Sequence, residues 1–126
     1  MILDTTFIID FLRGNNDAAE KMNALESDAE PVSTTSISVF EVTQGIKGAR
    51  EEKNADIFFS SIHAIPLAKK SALAGGKVRR KLMAQGITID AEDAMIAGIA
   101  ITRNETILTR NVKHFSAISG LKTETY

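Results

Sequence analysis

The sequence predicts a three-layer α/β domain built on a mainly parallel sheet. Two observations carry this. Short apolar runs alternate with longer stretches of helical periodicity along the chain, and turn-forming residues stand at most junctions. Strands that alternate with helices pair in parallel, because each helical crossover returns the chain to the same end of the sheet. The length of 126 residues fits one domain spanning 1–126, and 44% hydrophobic content suffices for a core without disulfide staples.

Met1 to Asp4 opens as a short buried strand. Thr5 to Leu12 follows as a helix, broken by Arg13-Gly14-Asn15-Asn16. Asp17 to Ser27 places Ala18, Met22 and Leu25 at helical spacing. Glu30-Pro31 turns the chain into a second strand, Val32 to Thr35. Ser36 is placed to cap a helix that carries Glu41 and ends near Gly45 or Gly48. A charged helix begins at Arg50, with Ala55, Phe58, Phe59 and Ile62 on one face. Ala64-Ile65-Pro66-Leu67 holds a third strand, cut short by Pro66. A long helix then runs from about Ala68 to Gln85, stopped by Gly86. Asp90 to Ile101 is the next helix. Its stretch from Ala94 to Ile101 carries no charge, so it is expected to be the most buried helix. Thr106 to Thr109 forms a fourth strand, and Leu121 to Thr125 a fifth, at an edge.

Composition excludes several chemistries. There is no cysteine, so disulfides, zinc thiolates and thiol catalysis are out. The net charge of −1 and a pI near 6.1 argue against a histone-like binder. No apolar run reaches the ~18 residues of a membrane span, and no signal-type segment opens the chain. The expectation is a soluble cytoplasmic protein with no membrane partner.

Three acids sit against apolar runs. Asp4 closes Met1-Ile2-Leu3, Glu41 lies inside Ile37-Ser38-Val39-Phe40-Glu41-Val42, and Asp93 leads into Ala94-Met95-Ile96-Ala97. Carboxylates rarely stand beside core residues unless they are paired, hydrogen-bonded or metal-bound. In an open parallel sheet, ligands bind beyond the carboxyl ends of the strands, and that is where these elements point. Two carboxylates about 5 Å apart repel by roughly 3 kcal/mol at an effective dielectric near 20. Three such pairs cost on the order of 10 kcal/mol, comparable to the stability of a domain. Protons or a cation must offset that. All-oxygen donors select a hard ion, Mg2+ or Mn2+, and the chemistry that follows is metal-assisted phosphodiester hydrolysis.

The same residues carry a family resemblance. Leu3-Asp4-Thr5-Thr6-Phe7-Ile8-Ile9-Asp10 resembles the opening of PIN domains, within them the VapC-type toxins of VapBC toxin–antitoxin modules. Ser36 to Val42, Asp93-Ala94-Met95-Ile96-Ala97 and Leu108-Thr109-Arg110-Asn111-Val112-Lys113-His114-Phe115 resemble the second, third and fourth motifs. Four motifs in register cover essentially the whole chain. The resemblance implies a five-stranded parallel sheet and a Mg2+-dependent endoribonuclease. It implies Asp4, Glu41 and Asp93 as metal ligands, with the hydroxyls of Thr5 and Thr109 near the metal. It further implies a homodimer and a cognate antitoxin whose C-terminal segment blocks the pocket. The fourth acidic position is Asn111 here, counted with the catalytic set, and this departure weakens a second metal site.

Each residue also has a plainer reading. Asp4 could be only an N-cap, and Glu41 a surface residue. Asp90 and Asp93 stand at the N-cap and N3 positions of a capping box, and Asn111 could cap the turn before Phe115. His63 and His114 are too isolated for a zinc site. Gly75-Gly76-Lys77 lacks the rest of a phosphate loop, but its small residues suit close packing by another chain. Lys69, Lys70, Lys77, Arg79, Arg80 and Lys81 form either a solvated face or an RNA contact. Lys47, Arg50 and Arg110 are placed as phosphate contacts nearer the pocket. A receiver domain is disfavoured because the third strand ends without an acid, and a haloacid-dehalogenase-like phosphatase because Asp4-Thr5-Thr6 is not Asp-x-Asp. The alternative is a PIN-fold interaction module with weak or no activity.

Overall fold

The computed structural model describes all residues, 1–126. In chain order it contains β1 (Ile2–Leu3), α1 (Thr5–Leu12), α2 (Asn16–Ser27), β2 (Ser33–Thr35), α3 (Ser36–Gln44) and α4 (Ala49–Ser60). These are followed by β3 (His63–Ile65), α5 (Lys69–Ala84), α6 (Ala91–Arg103), β4 (Thr106–Leu108), α7 (Val112–Phe115) and β5 (Lys122–Glu124). The five strands pair in the order β3-β2-β1-β4-β5, and every pairing is parallel. The strands are short, two or three residues each. No helix is long and apolar enough to cross a membrane.

Strand alternation divides the core in two. Ile2 and Ile107 point to one face of the sheet, where α5, α6 and α7 contribute Leu82, Ile96, Ile99 and Phe115. Leu3 and Leu108 point to the other, where α1, α2 and α3 contribute Phe7, Ile8, Met22 and Val42. The uncharged stretch of α6 is buried as expected, with Ile96, Ala97, Ile99 and Ala100 almost fully enclosed. The strand β2 is polar yet wholly buried, because its hydroxyls are satisfied locally; Thr34 Oγ1 donates to the Leu3 carbonyl at 2.9 Å.

Four local expectations need correction. The N-cap of α3 is Thr35, not Ser36: the Thr35 hydroxyl accepts from the Ser38 amide at 3.1 Å. Asp90 occupies the N-cap position of α6, but its side chain makes no cap bond, so the capping box with Asp93 does not form. Residues 112–115 make a one-turn helix, and Asn111 ahead of it makes no side-chain cap bond either. Gly75 faces inward rather than offering a surface to another chain. A Cβ on Gly75 would stand 2.6 Å from the Ala94 carbonyl oxygen, and one on Gly98 would stand 2.7 Å from the Gly75 nitrogen. Two glycines, one on each helix, thus set the contact of α5 with α6.

Candidate active site

The strand order places a topological switch beside β1: β2 lies on one side of it and β4 on the other. Asp4 follows β1 and Thr109 follows β4, so both lie at this crevice, where the Thr109 hydroxyl donates to Asp4 Oδ2 at 2.7 Å. Thr6 Oγ1 donates to the same oxygen at 3.2 Å and accepts from the Arg110 amide at 3.1 Å. Asp4 is 3% exposed and stands at the N-cap of α1, yet its carboxylate forms no cap bond. Its side-chain partners are the hydroxyls of Thr6, in the first turn of α1, and of Thr109, in the loop after β4. Burial raises the Asp4 pKa, against the lowering effect of Thr109, Thr5 and Thr6.

Glu41 is anchored from the same crevice. The Thr5 hydroxyl donates to Glu41 Oε1 at 2.8 Å and lies 3.0 Å from Ser38 Oγ, which lies 3.4 Å from Thr35 Oγ1. Three hydroxyls from α1, α3 and the end of β2 thus form a string behind one carboxylate. Burial raises the Glu41 pKa, Thr5 opposes it, and the charges of Asp4, Glu92 and Asp90 raise it further. Asp93 is half-buried in the first turn of α6, with His114 Nδ1 3.7 Å from its Oδ2. Its pKa is pushed up to about 6, first by burial and then by the charges of Asp4, Glu41 and Asp90, with His114 opposing.

The charge of Asp4 is felt at both Glu41 and Asp93, and that of Glu41 at Asp93, so the three acids face a common crevice. No three acid or imidazole side chains stand close enough to grip an ion as they are. The donor set is nevertheless all oxygen, three carboxylates backed by hydroxyls and no sulfur, which fits a hard divalent ion.

Asn111 joins the site through its backbone, donating its amide to Thr109 Oγ1 at 3.0 Å; its side chain bonds to none of the acids. Arg110 is not free for phosphate. Its Nη1 contacts both oxygens of Asp10, at 2.7 and 2.8 Å. Asp10 also accepts from the Tyr126 hydroxyl at 2.6 Å, and the Tyr126 ring packs edge-on against Phe7. Arg50 opens on a separate hollow of about 370 Å3 among α1, α3 and α4, which none of the three acids lines. Lys47 adjoins it in the α3–α4 turn, its amide donating to Glu51. His63 is exposed on the edge strand β3.

Sequence reasoning assigned no role to Thr6, Ser38 or Asp10. Asp10 had a signal, since it lies inside the apolar run Phe7 to Leu12 just as the other acids border theirs. Thr6 had a weaker one, as the second hydroxyl after Asp4. Ser38 had its spacing of one helical turn from Glu41.

A family model described as PIN domain matches residues 1–121. The chain is 30% identical over 121 residues to Ribonuclease VapC19 of Mycobacterium tuberculosis, covering 96% of each chain. It is 28% identical to the tRNA(fMet)-specific endonuclease VapC of Shigella flexneri, over 98% of this chain and 95% of the other. Among solved structures, VapBC2 from Rickettsia felis bound to a promoter DNA fragment contains a chain that superposes with a TM-score of 0.86 at 25% identity, over 99% of this chain and 97% of that one. DNA-bound VapBC from Salmonella typhimurium superposes with a TM-score of 0.83 at 26% identity, over 98% and 96%.

Proposed function

The chain belongs to the PIN-domain family, and from that premise we propose that it is a Mg2+-dependent endoribonuclease, the toxin of a toxin–antitoxin pair. The observation that supports this best is the set of three acids, delivered by β1, α3 and α6 to the carboxyl end of a parallel sheet, where the charge of Asp4 raises the pKa of both Glu41 and Asp93. Asp4, Glu41 and Asp93 would hold the ion, with Mn2+ as a substitute. The chemistry supplied by such an ion is neutralisation of phosphate charge and activation of water for attack on phosphorus.

The chain's own residues prepare the site. Thr109 and Thr6 orient the Asp4 carboxylate through Oδ2, and Thr5 orients Glu41 through Oε1, so two of the acids are held before substrate arrives. An acidic pocket repels a polyanion unless its charge is offset, which ties RNA binding here to the cation. The names of the relatives and of the superposed complexes support RNA as substrate and a cognate antitoxin as partner. The reading includes a homodimer and a cytoplasmic location. Gly75 is internal and offers no surface to a two-fold contact. Light scattering at micromolar concentration should exceed the monomer mass of 13.6 kDa; a monomer mass would remove the dimer from the reading.

The decisive experiment is cleavage of single-stranded RNA with Mg2+, with Mn2+ and with a chelator. Cleavage in both metals, lost with chelator, is the expected result. Equal cleavage in all three conditions, or none in any, would overturn the proposal.

A further inference from the structure

Asp93 lines a hollow of about 320 Å3 whose wall also carries Lys113 and His114 of α7, with Leu82 and Ile87 as its apolar side. A second hollow of about 460 Å3 adjoins it, sharing Leu82 and sharing Ala117; Lys77 and Lys81 of α5 line that one. Lys77 and Lys81 are one helical turn apart and so lie on the same side of α5. None of the ammonium groups of Lys77, Lys81 and Lys113 is engaged by a carboxylate or a hydrogen bond, and all three residues are exposed. The other lysines and arginines of the basic cluster stand apart from this path. Lys69, Lys70 and Arg80 line neither hollow, and Arg79 donates to the Ile89 carbonyl at 3.1 Å.

We propose that these two hollows form one groove that carries the single RNA strand away from the acidic site, with Lys113, Lys81 and Lys77 contacting successive backbone phosphates. The inference rests on the endoribonuclease reading above and extends it to the path of the substrate. Charge complementarity argues for it. One unpaired cation, Lys113, shares the hollow of Asp93, and two more, Lys77 and Lys81, line the hollow that adjoins it, so a strand leaving the acids meets positive charge. Ile87, 39% exposed, offers an apolar contact at the wall of the first hollow that does not select among bases.

The test is fluorescence anisotropy with a labelled single-stranded 20-nucleotide RNA of mixed sequence, in Mg2+. It uses the full chain carrying Asp4→Asn, so that the probe stays intact. Lys77→Gln/Lys81→Gln/Lys113→Gln should raise Kd roughly tenfold, on the scale of three exposed charge contacts. It should also flatten the slope of log K against log salt by about 2, as expected for three lost phosphate contacts on a single strand. Lys69→Gln/Lys70→Gln should change Kd less than twofold. Equal losses in both variants would show a diffuse field and overturn the groove, and an unchanged Kd in the triple variant would overturn it as well. Either result would leave the nuclease reading standing if the wild-type chain still cleaves RNA with Mg2+. Failure of the parent protein to bind the probe, together with failure of the wild type to cleave RNA, would overturn both.

Discussion

Asp4 shows how much a single carboxylate depends on its surroundings. It is buried, it accepts from the hydroxyls of Thr6 in α1 and Thr109 after β4, and burial still wins over them in setting its pKa. Asp4→Asn keeps the shape while removing a charge that the metal-free fold tolerates poorly. The variant should lose RNA cleavage yet melt no lower than wild type in chelator. Wild-type cleavage by Asp4→Asn would end the metal-site reading. Asp93 permits a sharper test, because its pKa is pushed up to about 6 from 3.8. A carboxyl raised on folding contributes stability below its unfolded pKa and loses it as pH climbs through the folded value. In chelator, the protein should therefore lose about 1 kcal/mol between pH 5 and pH 7 from this group, a few degrees in melting temperature. Asp93→Asn should flatten that pH profile; an unchanged profile would show that Asp93 is not the titrating group. Asp90 differs, since it stands at the N-cap without capping. Asp90→Ala should cost less than the ~1 kcal/mol of a lost cap, and thermal melts at pH 7 would show it.

Among the elements, the α5–α6 pair is the most demanding. Each helix gives a glycine to the contact, and backbone atoms of the other helix occupy the space where a Cβ would go. Gly98→Ala should cost roughly 1–3 kcal/mol, because backbone cannot yield as a flexible side chain can. Gly76, the next residue after Gly75, meets nothing within 4 Å. Gly76→Ala should stabilise by roughly 0.5–1 kcal/mol by restricting the unfolded chain inside a helix. Denaturant melts of the two variants should move in opposite directions. Destabilisation by Gly76→Ala would mean that its open side is covered in solution. From the sequence, these two adjacent glycines looked alike, and only the approach of α6 separates them.

Across the whole molecule, the acidic site is where three layers meet. Asp4 comes from the central strand, Glu41 from a helix that touches both cores, and Asp93 from the most buried helix. An ion held there, as proposed, would link the elements. At a hundredfold excess over its dissociation constant it should add about 2.7 kcal/mol of stability. Calorimetry with Mg2+ or Mn2+ should show the rise in wild type and not in Glu41→Gln/Asp93→Asn. An equal rise in both would make the effect nonspecific.

The sequence by itself determined the alternation of strands and helices, the parallel sheet and the three acids at its carboxyl end. These follow from local signals: apolar runs a few residues long, breakers between them, and a charge where a run ends. The tertiary structure alone decided which hydroxyl holds which acid, that Arg110 is bound to Asp10 rather than open to phosphate, and that Gly75 is internal. Thr109 meets Asp4 across 105 positions, and Tyr126 meets Asp10 across 116. Such pairs leave no mark in a window of neighbouring residues. They are selected by the order in which strands pack, which brings the loop after β4 against the loop after β1.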